Sequence, residues 1–583
     1  MPQLSNSDIA KVDAYSLDKG VQVNNTANLP MKIAILAEGN HASNGSMPTA
    51  KTRITSRSQA ANIFGWGSPI DIICSRLFPK NGGGVNNIET YVFMQPEIGG
   101  ALSEIQTITP TGTATANVTH TLLIAGRKFL DGGNYDVAIN TGDTADVITT
   151  KINSVINAVL GCPVKSTLIT GIGTAIIHSG AAGSGYAIND TFTVNTGTVL
   201  ATGKVLTVSA GAVVTFVILT AGTGYSVGTN IATTATLGVG TGFKIDITAV
   251  ISVASKTETN WKGKTAGDVT INVLTNGNAA GLSYAIAETQ AASGSPSIDA
   301  SLALFANDWF TLVGSSYNIN IGSIITSILA YNGNANDKTG QYNPIIMKPA
   351  IYIIGDTVDS NTTSPDTVIT AALLNEMSIA VASEPNSYGL PMDAMTNYLV
   401  NFANVSNDTP NIDIQDMPLL DAPLCSANPS QSSNYTLRNA LVELGMSTVI
   451  YNNGVYYPQD FVTTYAPVGE FTPTYRYPRD LIIDFNIRYK AGNVLNVVAK
   501  NKQIAEDNAI ITVANVCKPK DVVSAFVALA KSLESTGFID SAAYMISTLS
   551  VSINPTNKNR FDISFSYDRS GVVRIISSVA TTY

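Results

Sequence analysis

Short apolar runs alternate along this chain with polar, glycine-marked stretches, and their period switches between two and about 3.6 residues. Met31 to Glu38 (MKIAILAE) and Asn87 to Met94 (NIETYVFM) are compact runs suited to buried strands. Between them, Arg57 to Phe78 reads as two helical stretches broken at Phe64-Gly65-Trp66-Gly67-Ser68. Further on, helical Ser297 to Ala306, strand Trp309 to Val313, helix Gly322 to Tyr331 and strand Ala350 to Gly355 follow one another. Pro365 to Ala382 reads as a long apolar helix. Such alternation predicts a sheet with helices on its faces.

The second half is more sharply punctuated. Leu437, Ala440, Leu441 and Leu444 share one face of a helix from Thr436 to Leu444, which Gly445 stops. A hairpin follows around Asn453-Gly454, a pair that tolerates positive φ in a two-residue turn. Its returning strand ends in Val462-Thr463-Thr464-Tyr465. Pro478 opens a helix to Tyr489, and Val522, Val523, Phe526, Val527, Ala530 and Leu533 mark another, closed by Gly537. In the last stretch Phe561, Ile563, Phe565 and Tyr567 alternate, Arg569-Ser570-Gly571 turns, and Val572 to Val579 resumes an apolar run that includes Ile575.

The middle differs from both. Thr111 to Gly126 alternates as a strand, and Ile148, Ile152, Val155, Ile156 and Val159 form a helical stripe with Asp143 or Thr144 as N-cap. From Thr167 to Thr248 the chain is rich in Gly, Thr and Val and contains a duplication: AAGSGYAINDTFTV (181–194) and TAGTGYSVGTNIAT (220–233). The repeated G-x-G-Y before a short strand predicts a small all-β module of two similar units, nested in an α/β insertion that Trp261 to Val273 completes.

Composition adds one anomaly. Charged residues make up 13% of 583 residues, against about 25% in an average soluble domain. Ser, Thr, Asn and Gly cover the surface instead, which suits either a protein consumed by contacts with its own copies or a secreted β-rich protein. Mean hydropathy is +0.17, yet no run approaches the ~18 apolar residues that span a bilayer. The first twenty residues lack the basic start and apolar stretch of a signal peptide. Cys74, Cys162, Cys425 and Cys517 have no paired spacing and read as reduced thiols of a protein made in a cytoplasm. A net charge of −9 without a basic run argues against direct nucleic-acid binding.

Chemistry of the catalytic kind finds little support. His41, His120 and His178 are scattered without ligand-spaced neighbours, so no metal site is expected. Gly197 to Lys204 (GTVLATGK) has the wrong spacing for a phosphate loop, and no G-x-S-x-G elbow occurs. No cofactor is expected. Phe64 and Trp66 read as core aromatics at a helix end rather than as a binding site. The G-x-G-Y tyrosines could hold a glycan if exposed; the favoured reading is a structural turn with tyrosine packed across it.

Three blocks, in order, resemble contractile phage tail sheath proteins: helix–FGWGS–helix before a strand, the strand ending Ile124-Ala125-Gly126-Arg127 with Gly142-Asp143-Thr144-Ala145 and its helix, and the Thr436–Tyr465 unit ending in TTY. The resemblance implies a non-enzymatic subunit of α/β and α+β multidomain class: a discontinuous α/β sheath core, an inserted α/β domain, a nested all-β domain, and a C-terminal α+β domain with strand-exchanging arms. No Asp/His/Ser arrangement revives the subtilisin-like chemistry sometimes associated with that core. The expected divisions are 1–28 (N-terminal arm), 29–100 and 285–465 (core), 101–166 and 249–284 (inserted domain), 167–248 (nested module), 466–560 (inner domain) and 561–583 (C-terminal arm). By resemblance, Val21, Val23, Phe561, Ile563, Phe565, Tyr567, Val572, Ile575 and Val579 would lie in the arms that link subunits. The helix carrying Lys518, Lys520 and Lys531 is a candidate tube-facing element, against the plain alternative of a solvated face. Implied partners are further copies in a helical sheath of stacked hexameric rings, the tail tube protein, and baseplate and tail terminator proteins, in a virion assembled in a bacterial cytoplasm. Neither membrane insertion nor nucleic-acid contact is implied. Two rivals are the sheath of a related injection machine (an R-type pyocin or a type VI secretion system) and a receptor-binding tail adhesin.

Overall fold

The computed structural model describes residues 28–572 except 41–45, 86, 128, 131–132, 361–370, 372, 421, 468, 470–473 and 513–514. The protein is a mixed α/β chain of two compact units, Met1–Ile98 with Ser295–Tyr583, and Gly99–Gly294. Among the described residues no helix is long and apolar enough to cross a membrane.

The first unit is built on a six-stranded sheet in the order Ile379–Ser383, Ile351–Asp356, Leu312–Ser315, Lys32–Glu38, Glu89–Gln95, Thr52–Ile54. All neighbours run parallel except the short Thr52–Ile54 edge. Strands buried on both faces explain the unbroken apolar runs. Ala34, Leu36, Phe93, Val313, Tyr352 and Ile354 point into one core, shared with Leu302, Phe305, Ile324 and Ile328. On the other face the helix Pro391–Asp408 lies along a lane of glycine: a Cβ on Gly355 would sit 1.6 Å from the Pro391 carbonyl, and one on Gly314 would sit 2.7 Å from the Met395 sulfur. Glycine is therefore required there for close backbone approach.

One expectation is corrected here. Of the helix expected over Pro365 to Ala382, residues 361–370 and 372 lie outside the described chain, and Ile379–Ser383 is a strand at the sheet edge. Asn375, at φ +47°, lies at the turn that precedes it, and the fully buried I-A-V-A-S run pairs with Ile351–Asp356. Burial on both faces hides the period that separates strand from helix. The helix Pro391–Asp408 has no counterpart among the expectations. Most of its residues are buried, and Asp393, Asn397, Asn401, Asn404 and Asp408 mark one face at helical spacing.

The C-terminal part of this unit packs helices Pro478–Val498 and Pro519–Ser535 with the short helix Ala542–Ser547. Ile483, Ile487, Val522, Phe526, Leu533 and Phe538 form their common core. A hairpin of Ser550–Ile553 and Phe561–Ser564 closes it.

In the second unit, Ile271–Leu274, Val118–Ile124 and Asp136–Ile139 form a three-stranded sheet, and the helix Ala145–Ala158 carries the expected Ile148, Ile152 and Ile156 stripe inward. Two strands of unusual length, Val164–Ser184 and Thr241–Thr259 (21 and 19 residues), run antiparallel through this unit. The boundaries expected at 166/167 and 248/249 fall inside them, so the α/β part and the β module share a continuous ribbon. The boundary at 284/285 likewise falls within the strand Ser283–Gln290.

At the far end of this ribbon the duplicated sequence folds into a six-stranded barrel. Ladders run from Val164–Ser184 to Thr241–Thr259, Gly228–Leu237, Thr191–Val194, Thr202–Ser209 and Ala212–Thr220. Residues bracketing the last strand close the ring beside the first, through Tyr186 N–H to Gly211 O (3.0 Å), Ile172 N–H to Ala221 O (2.8 Å) and Tyr225 N–H to Thr170 O (3.2 Å). Each repeat contributes three strands in the same order, so the ladders map onto one another by a pseudo-two-fold. Phe192, Val194, Val205, Val213, Phe243 and Ile245 fill the interior.

Candidate assembly elements

The Thr436–Tyr465 unit is the most tightly specified part of the first unit. Its helix spans Tyr435–Glu443, capped by the Asn434 side chain accepting from Leu437 N–H at 3.0 Å. Asn453 and Gly454, at φ +50° and +84°, turn the hairpin Thr448–Asn452 and Val455–Asp460. The TTY exit then crosses to the sheet edge. Thr464 N–H donates to Ile379 O at 2.8 Å, while its hydroxyl donates to Glu376 O at 2.9 Å and accepts from Glu376 N–H at 3.1 Å. Thr463 donates through its N–H to Arg476 O and through its hydroxyl to Tyr475 O, both at 2.7 Å. Both threonines are fully buried. Gly445 sits at φ +77°, where a Cβ would lie 2.8 Å from Thr464 Cα. The motif thus covers the open edge strand of the parallel sheet, which would otherwise present unpaired backbone groups.

The FGWGS break is likewise structural. Ser68 caps the helix Pro69–Leu77, accepting from Asp71 N–H at 3.1 Å and donating to Gly65 O at 2.8 Å. The fully buried Asp71 carboxylate accepts from Gly67 N–H (2.9 Å) and from both Nε and Nη2 of Arg57 (2.8 and 3.1 Å). Arg57 also stacks on the half-buried Trp66, and Phe64 is a core residue. Nearby on the same unit, Arg76 forms a buried ion pair with Asp393 at the start of the glycine-lane helix.

In the second unit, Ile124 and Arg127 exchange backbone hydrogen bonds across the Ala125-Gly126 turn. Thr144, one of the two expected N-caps, occupies the cap position, and Asp143 accepts from Asn140 N–H at 2.7 Å and pairs with Lys151. Both G-x-G-Y tyrosines are buried across glycine: a Cβ on Gly240 would strike the Tyr186 ring, and one on Gly197 the Tyr225 ring, each at 2.4 Å. The Tyr225 hydroxyl donates to Val194 O and accepts from Ala201 N–H. The turn reading therefore describes both motifs, and no exposed ring is left there for a sugar. His120 is buried between the Tyr284 hydroxyl and Asn278 O, and His178 pairs with Asp246 at 2.7 Å. Among the described residues no group of three acidic, His or Cys side chains could hold a metal ion.

The expected arm residues divide into two sets. Val21, Val23, Ile575 and Val579 lie outside the described residues. Phe561 and Ile563, in contrast, pair with Ser550–Ile553 of their own chain, and Phe565 packs on Phe526 in the C-terminal core. The Tyr567 hydroxyl donates to Asp484 at 2.9 Å, and Arg569 reaches the same carboxylate at 3.1 Å and Thr474 O at 2.9 Å. Ser570 N–H donates to Phe538 O, and Val572 is half-buried. Sequence alternation identified the strand but not its partner, which lies only about ten residues upstream and makes a hairpin the cheaper pairing. Burial drives the Asp484 carboxyl up to about 6 despite Arg569 and Tyr567.

Of the candidate tube-facing lysines, Lys520 and Lys531 are exposed, and Lys518 precedes the helix with its ammonium donating to Ala509 O at 2.6 Å. The helix N-terminus is held by Asp521, which accepts from Lys518 N–H at 2.9 Å.

No protein-family model matches the chain. The chain is similar to the tail sheath protein of the Mu-like prophage FluMu of Haemophilus influenzae, with 29% identity over 135 residues, which is 23% of this chain and 26% of that protein. The match thus spans about a quarter of the curated relative's length. The chain is also similar to the crystal structure of a sheath tail protein from Desulfitobacterium hafniense, with 8% identity and a TM-score of 0.40, covering 95% of this chain and 100% of that one. The curated similarity supports the phage tail sheath family that the three sequence blocks resemble.

Proposed function

We propose that this protein is a structural, non-enzymatic subunit of a contractile phage tail sheath. Copies polymerise around the tail tube in an extended lattice, and a switch to a shorter, wider packing drives the tube through the host envelope for genome ejection. The free energy comes from the difference between two lattice packings rather than from a nucleotide. The observation that carries this reading is the TTY-terminated block locked onto the sheet edge, together with the similarity to a prophage tail sheath protein. Partners are further copies, the tail tube, and baseplate and terminator proteins, and the mature location is the virion.

Negative-stain microscopy of the purified chain tests the reading: striated hollow cylinders are expected, and discrete trimers would overturn it in favour of an adhesin. Because Phe561 to Tyr567 complete their own core, the linking C-terminal arm narrows to the residues beyond Val572. Deleting 573–583 is expected to leave a folded protein that no longer polymerises; cylinders of normal length from that truncation would remove the arm assignment.

A further inference from the structure

On the helix Pro478–Val498, Arg479, Ile482, Asn486, Lys490, Asn493 and Val497 follow one another at helical spacing along a single stripe. Three of its polar members are engaged. Arg479 donates to Asn411 O at 2.8 Å and to Ser570 O at 2.6 Å. The Lys490 ammonium stands 5.2 Å from the centre of the Phe538 ring. Asn486, fully buried, donates to Ile482 O at 2.9 Å and accepts from Leu29 N–H at 2.8 Å. A side-chain amide on this stripe therefore already holds the main chain of the incoming N-terminal segment.

Asn493 is the exception. It is only 2% exposed, yet neither its Nδ2 nor its Oδ1 has a hydrogen-bond partner. A buried amide in that state costs free energy that an apolar side chain of the same size would not. Its donor and acceptor match the C=O and N–H that an extended main chain offers. One turn further on, Val497 is 60% exposed.

The spacing suits the chain that ends here. From Asn486 to Asn493 the helix rises about 10.5 Å, which an extended strand covers in about three residues. The described chain begins at Asn28, beside the Leu29 anchor, and 27 residues precede it. Counting back from Leu29 brings the Asn25-Thr26 peptide to Asn493, and about five or six residues bring Val23 to Val497. In the other direction the stripe ends at Arg479, whose donors already serve Asn411 and Ser570. Only the direction of Asn493 leaves unpaired groups to meet an incoming main chain.

We propose that residues 23–27 of this chain lie extended along its own helix Pro478–Val498, with the main chain at Asn25-Thr26 bonded to the Asn493 amide and Val23 covering Val497. The proposal goes beyond the sheath reading and does not depend on it. It leaves the residues ahead of Val23 for any link to another copy.

The test compares Asn493→Leu in the full chain and in a chain lacking residues 2–27. In the full chain the substitution strands a peptide group and is expected to lower the thermal midpoint by about 2 °C. In the shortened chain it removes only an unpaired buried amide and is expected to raise the midpoint. Any pattern other than this reversal of sign would overturn the docking. A second variant, Val23→Cys with Val497→Cys, decides the matter without the deletion. Oxidised at low protein concentration, it is expected to form one disulfide within the chain, seen by peptide mass spectrometry. Absence of that link, or a linked dimer that places the segment on another copy, would overturn the proposal. Neither result turns on whether the wild type forms cylinders, so the sheath reading stands or falls separately.

Discussion

The parallel sheet of the first unit and the barrel of the second solve the same burial problem with opposite materials. The sheet fills its faces with Ile, Leu and Val and fixes its surrounding helices with buried ions, Arg57–Asp71 and Arg76–Asp393. The barrel encloses Phe192, Phe243, Tyr186 and Tyr225, seats the rings on glycine, and places almost no charge anywhere. The sheet therefore depends on a few irreplaceable polar contacts, whereas the barrel depends on shape. Its repeated half explains how so few residue types suffice.

The largest test of that contrast is Arg76→Ala. It leaves the fully buried Asp393 carboxylate without its cation and is expected to lower stability by about 3–5 kcal/mol, read by denaturant unfolding. A loss under 1 kcal/mol would contradict a dependence on buried ions. Gly445→Ala comes next, at about 2–3 kcal/mol, because it combines a left-handed backbone with a Cβ pressed on the Thr464 main chain. The barrel counterpart is Gly203→Ala, whose Cβ would stand 2.2 Å from the Phe192 ring. A ring can shift where a backbone cannot, so about 1–2 kcal/mol is expected in thermal unfolding. Equal losses at the two glycines would erase the distinction.

Smaller still are two opposed carboxylates. Burial, ahead of the opposing Arg569, holds Asp484 at about 6, so its folded form favours the proton and its contribution is present below about 4 and lost as pH rises through 6. Asp484→Asn should flatten that part of the stability profile, as read by denaturant unfolding between about pH 4 and 7. On the barrel, Asp246 is pulled below the usual carboxylate range, first by the Asn230 N–H and then by His178. Its contribution is present at neutral pH and lost as pH falls through that lowered value, so Asp246→Asn should tilt the acid limb slightly the other way. Slopes of the same sign would show that the two acids share one environment.

Much of this was readable in the chain because local chemistry and final position agree. Asn453-Gly454 turns its hairpin, Thr144 takes the N-cap position of its helix, and the Ile148, Ile152 and Ile156 stripe faces inward. Reading failed where burial is complete. Ile379–Ser383 is buried on both faces, so it shows no period that would announce a strand, whereas Pro391–Asp408 carries a polar stripe at Asp393, Asn397, Asn401, Asn404 and Asp408 that the reading passed over. It also failed where partner choice decides the outcome, since alternation at Phe561 to Tyr567 says nothing of whose strand will pair with it. The G-x-G-Y repeat was visible, but the pseudo-two-fold barrel follows only from which strands pair.

The long ribbon of Val164–Ser184 and Thr241–Thr259 has one more consequence. Its two strands leave and return side by side, so anything mounted beyond them enters and exits the chain at neighbouring points. Adding two residues to each strand would lengthen it by about 6.6 Å and keep every side chain on its original face. Such a stem is a graduated mast: its cargo can be raised, lowered or exchanged in even steps while the deck beneath is left untouched.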